Sequence, residues 1–102
     1  ALGCALEGRT LMAMPGFTTD AAHPLVGTAV DALAAEGRAS AVEAWTAACE
    51  GGFVAEHHGC PTIILGPGDI TGQAHQPDEQ VRIADLGIAA RAYVRLALAL
   101  AG

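Results

Sequence analysis

The chain has 102 residues, a length that holds one domain at most. Hydrophobic residues make up 52% and charged residues only 16%, less charge than a free-standing domain usually carries, which leaves two readings: a compact, alanine-rich helical-and-strand domain, or part of a larger body that covers its apolar faces. The net charge of −6, with five arginines, no lysine and no basic cluster, argues against a nucleic-acid surface.

Three cysteines, Cys4, Cys49 and Cys60, are odd in number and lack Cys-x-x-Cys spacing. A reducing, cytoplasmic setting fits them better than a disulfide framework. No stretch approaches about 18 uninterrupted apolar residues, so no membrane span is expected.

Residues 9–14, RTLMAM, read as a strand stopped by Pro15-Gly16. Thr18, Thr19 and Asp20 follow in a loop whose side chains suit a turn and a helix cap. Pro24 fits the first turn of a helix, where its missing N–H would have no partner. That helix is predicted over residues 24–35, with Leu25, Val26, Ala29, Val30 and Leu33 as its apolar stripe and Gly37 at its C-terminal cap. Residues 41–46, AVEAWT, read as a weak strand. Gly51-Gly52 is costly inside a helix, so the pair is expected where backbone passes close to something at the start of a short helix over residues 52–57. Gly59 ends it. Residues 60–65, CPTIIL, are apolar on both sides, as in a strand covered by helices on both faces. Gly66-Pro67-Gly68 then turns the chain into a polar loop, and residues 81–83 read as a last short strand. A terminal helix is predicted over residues 84–101, its start carrying Asp85 and its apolar face traced by Leu86, Ala89, Ala90, Tyr93, Ala97 and Leu100. This order of elements predicts an α/β fold, a sheet with helices on its faces.

His75 is the sharpest chemical candidate. It sits in a loop just beyond a strand, where α/β sheets place ligands, and a neutral imidazole there could bind zinc or act as a general base. It reads equally as an exposed loop histidine without a role. Asp78 and Glu79 could orient it or be solvated turn acids. The Gly66-Pro67-Gly68 turn is small enough to let a ligand reach backbone N–H groups, though it has no Walker or dinucleotide spacing. Glu50, an acid beside a glycine pair, could touch a cationic substrate or water. His57-His58 cannot both chelate from a regular helix, because adjacent residues point in different directions. These pieces fall short of a hydrolytic zinc site, which needs about three protein ligands. A cysteine hydrolase using Cys49 or Cys60 with a histidine is a distinct alternative, marked by sensitivity to thiol alkylation and indifference to chelators.

The stretch PTIILGPGDITGQAHQPDEQVRI closely resembles the C-terminal signature of the M20 family of metallopeptidases and deacylases, which includes acetylornithine deacetylase and succinyl-diaminopimelate desuccinylase. The upstream AACEGGFVAEHHGCPT is similar to the family's Gly-Thr-Asp/Glu-Ala segment, with Glu50 at the acid, Cys49 in place of threonine and Gly51 in place of alanine. MPGFTTDAAHPLVGTAVDAL resembles the return from the family's inserted dimerisation domain.

The resemblance implies that residues 1–16 are the final strand of that inserted domain with its return linker. Residues 17–102 would then be the C-terminal portion of a mixed-sheet zinc-hydrolase catalytic domain. It implies that His75 ligates one of two divalent metals, commonly zinc, with cobalt or manganese as alternatives. Glu50, Gly66, Pro67 and Gly68 would line the substrate cleft, and no catalytic residue would lie in this segment. The implied activity is hydrolysis of an N-acyl amino acid or small peptide-like amide, by an enzyme that is a homodimer when complete. The general base and the remaining ligands belong to the family's N-terminal half, so that half is the expected partner and the segment alone is expected to be inactive. The rival reading is a non-catalytic α/β interaction or structural domain derived from the same fold.

Overall fold

Pro24 and Gly37 bracket the first helix of the computed structural model, which describes residues 3–102. Helix α1 spans Pro24–Ala35 with proline in its first turn. Its N-terminal cap is the imidazole of His23, whose Nδ1 accepts from the Leu25 N–H at 3.1 Å. Asp20 caps the preceding turn instead, its Oδ1 accepting from the Ala22 N–H at 2.8 Å. At the other end Gly37 adopts φ 76°, and its N–H and that of Arg38 return to the carbonyls of Ala34 and Leu33, both at 2.9 Å. This is a Schellman ending, and it needs the left-handed conformation that glycine supplies without penalty.

Helix α2 spans Gly51–His58 and stops at Gly59, which takes φ 60° and donates its N–H to the Ala55 carbonyl. A single turn, α3 (Ile70–Gln73), follows, and α4 runs over Ile83–Ala101. Helix α1 packs on α4. The buried apolar side chains at that contact are small: Val26, Ala29 and Ala32 from α1, Ala89 and Ala92 from α4. Arg91 and Arg95 reach across from α4 to Glu36, at 2.6 and 2.7 Å, and clamp the end of α1. The face that α4 buries is therefore rotated from the one its larger residues trace. Leu86, Tyr93 and Leu100 stay exposed, because alanines allow the closer helix approach.

The expected α/β sheet does not form. Among the described residues there is no strand, and the four helices are the only regular elements. Residues 9–14, 41–46 and 60–65 have no regular structure, and Ile83 belongs to α4 rather than to a strand. A strand exists only through the hydrogen bonds it exchanges with a neighbour. Here residues 14–19, 40–49 and 62–65 instead line a cavity of about 610 Å³. The backbone of Thr62 is satisfied by a side chain: Thr19 Oγ1 accepts from its N–H at 3.2 Å and donates to its carbonyl. The β-branched pattern of residues 62–64 is present, but the partner backbone is not alongside. The radius of gyration, 18.0 Å, exceeds the ~13 Å of a compact domain of this length. No helix among the described residues is long and apolar enough to cross a membrane.

Candidate functional site

The glycine pair that opens α2 lies, as its cost suggested, where backbone passes close by. A Cβ on Gly52 would lie 1.8 Å from the Pro15 carbonyl oxygen, and one on Gly51 would lie 3.0 Å from the Phe17 ring. The start of α2 is thus pressed onto the loop after Met14. Glu50 caps α2 through its backbone, its carbonyl accepting from the Phe53 N–H at 3.0 Å. Its carboxylate makes no capping bond and is left exposed.

The Gly66-Pro67-Gly68 turn is tied to α4. The Tyr93 hydroxyl donates to the Leu65 carbonyl at 2.9 Å, immediately before the turn. Gly68 takes φ 100°, a conformation that a side chain would resist. All three turn residues line a cavity of about 210 Å³, together with Arg38, Ser40 and Asp85. Asp85 receives both Arg38 and Arg82, the latter through Nε at 3.0 Å and Nη2 at 3.1 Å. Hydrogen bonding to the Arg82 guanidinium, aided by the charges of Arg38 and Arg82 and opposed by desolvation, holds the Asp85 carboxyl below the usual carboxylate range.

Asp69 opens α3 by accepting from the Thr71 N–H at 3.0 Å and the Thr71 hydroxyl at 2.8 Å. The Thr71 hydroxyl, with the Gly72 and Thr71 backbone N–H groups, lowers its pKa. This turn was hidden in a stretch that reads as polar loop, and Asp-x-Thr was the signal for it. After α3 the chain folds back on Gln73. The Gln73 carbonyl accepts from the Gln76 N–H at 3.2 Å, and its side-chain Oε1 accepts from the Gln80 N–H at 3.0 Å. His75 lies inside this closed loop. It is exposed, and it is the sole non-glycine residue with positive φ, at 60°, among the described residues. A side chain in that conformation is strained, and such strain concentrates at functional sites.

The predicted site residues are not gathered in one pocket. Gly66, Pro67 and Gly68 share the smaller cavity, whereas neither Glu50 nor His75 lines it or the larger one. No three His, Cys, Asp or Glu side chains among the described residues come together as a metal site. A lone solvent-facing imidazole does not fit a complete metal centre, so these residues do not hold a metal by themselves. His57 and His58 end α2, where the His57 ring stacks on Phe53 with centroids 6.2 Å apart. Tyr93, Gln73 and Thr19 are the residues that sequence reasoning missed as organisers of this region. Each acts across the chain or across a loop, where local periodicity carries no signal.

The model of peptidase family M20/M25/M40 matches residues 5–99. No curated protein and no solved structure matches the chain. A match over nearly the whole length shows that the chain belongs to the peptidase family M20/M25/M40, and with it to the metallopeptidase class of hydrolases.

Proposed function

We propose, from this membership, that the chain supplies one wall of a metal-dependent amidohydrolase site acting on an N-acyl amino acid or small peptide-like amide. His75 is the ligand this wall contributes, to zinc or to cobalt or manganese in its place. Glu50, Gly66, Pro67 and Gly68 face the substrate. The other metal ligands and the general base come from protein beyond the described residues, in the family's N-terminal half.

The observation that carries the proposal is the conformation of His75. An exposed imidazole is held at positive φ in a loop closed on Gln73, seven residues beyond a glycine-proline-glycine turn. A non-glycine residue at positive φ is uncommon, and such outliers cluster at functional sites.

The proposal is tested by mixing the purified chain with the separately produced N-terminal half of a family enzyme. Chelator-sensitive hydrolysis of an N-acetyl amino acid should appear in the mixture and disappear with His75→Ala. Hydrolysis that survives both chelator and His75→Ala, yet is lost on thiol alkylation, would favour Cys49 or Cys60 as nucleophile.

A further inference from the structure

The hydroxyl of Tyr93 meets the main chain at the residue before the glycine turn. It donates to the Leu65 carbonyl at 2.9 Å, across 28 residues of sequence. The 65–66 peptide bond is trans, since the described residues include no cis peptide. In a planar trans peptide the C=O and the following N–H point to opposite sides. Fixing the Leu65 carbonyl on Tyr93 therefore fixes the Gly66 N–H on the side facing away from that hydroxyl.

That N–H has no acceptor among the described residues, and Gly66 is exposed. Pro67 next in line has no N–H to offer. The Gly66 amide is thus the donor that the first half of the turn presents, and a single phenol sets its direction. Space around the site is consistent with a purely orienting role: a Cβ on Gly66 would stand 3.7 Å from Tyr93 Oη, an ordinary contact.

We propose that Tyr93 is a positioning residue for substrate binding, one that aims the Gly66 N–H at an acceptor oxygen of the substrate. The inference rests on Gly66, Pro67 and Gly68 forming the substrate wall. Tyr93 itself touches no substrate atom. It acts by removing the freedom of the 65–66 peptide to flip, so that the donor is already aimed when the ligand arrives.

Two NMR signals of the isotope-labelled full chain, mixed with the unlabelled N-terminal half of a family enzyme, test this, with N-acetyl-L-alanine as the probe. In the wild type the Gly66 amide signal should shift saturably as the probe is added. In Tyr93→Phe the Leu65 carbonyl signal should move, because its hydrogen bond is gone, and the probe should bind about fivefold more weakly, the worth of one hydrogen bond. Tyr93→Leu, which also deletes the ring, should weaken binding no further. A Gly66 signal that ignores the probe in the wild type would overturn the substrate wall and the proposal with it. A Gly66 signal that responds with equal affinity in wild type and Tyr93→Phe would overturn the role of Tyr93 alone.

Discussion

Replacing Gly52 by alanine is a sharp test of how α2 and Glu50 are placed. The added methyl would fall 1.8 Å from the Pro15 carbonyl oxygen and 2.8 Å from the Pro15 carbonyl carbon, well inside the 3.0 Å limit of real Cβ contacts. The obstacle is backbone, so no rotamer change relieves it, and either residues 14–16 or the first turn of α2 must move. Overpacking of this kind costs about 1–3 kcal/mol, occasionally more, while alanine returns at most ~1 kcal/mol of helix propensity. A net loss of about 2 kcal/mol follows, or roughly a 10 °C fall in Tm for a chain of this size. Thermal unfolding by circular dichroism reads it. Two other glycines calibrate the effect. Gly27, in α1, has nothing within 4 Å of an added Cβ, so Gly27→Ala should stabilise by up to ~1 kcal/mol. Gly59 is equally open but sits at φ 60°, so Gly59→Ala should cost about 1 kcal/mol from backbone strain alone. If Gly52→Ala raised Tm as Gly27→Ala does, the close approach to Pro15, and with it the placement of Glu50, would be refuted.

His75→Gly should relieve the strain at φ 60° and raise stability by about 0.5–1 kcal/mol in denaturant unfolding, while removing the chelator-sensitive hydrolysis proposed for the mixture with a family N-terminal half. A loss of stability would show that the loop does not impose this conformation. The α1–α4 contact should be acid-labile. Glu36, with its side chain 8% exposed, is held below the usual carboxylate range first by its hydrogen bonds to Arg91 and Arg95, and Asp85 first by that to Arg82. Depressed carboxyl pKa values contribute stability that is fully present above the unfolded range, about pH 4, and lost as pH falls through the lower folded values. Tm measured against pH should therefore drop below about pH 4 in the wild type. Glu36→Gln should lower Tm at neutral pH and flatten that drop.

Local chemistry was legible where one residue decides the backbone. Pro24 and Gly37 delimited α1 from the sequence, Gly59 ended α2, and the Gly51-Gly52 pair announced a close approach that Pro15 supplies. The core face of α4 was legible only at Ala89; Ala92 carries little hydrophobic signal beside Leu86 and Tyr93, which stay exposed. The sheet failed for a different reason. Residues 60–65 have the composition of a strand, but a strand is a relation between two backbones, and Thr19 and Tyr93 occupy the polar groups of Thr62 and Leu65 instead. Gly66, Pro67, Gly68 and His75 stood out in the sequence as candidates through their residue types and spacing, although the structure does not bring His75 into the cavity that the glycine turn lines. Their supports, Tyr93 and Gln73, became visible only in three dimensions.

The role of His75 in metal binding is the central claim, and metal content measures it most directly. The chain combined with the N-terminal half of a family enzyme, dialysed against buffer and assayed for zinc by mass spectrometry, should carry bound metal that His75→Ala loses together with chelator-sensitive hydrolysis. Equal metal content and equal hydrolysis in wild type and His75→Ala would contradict the account.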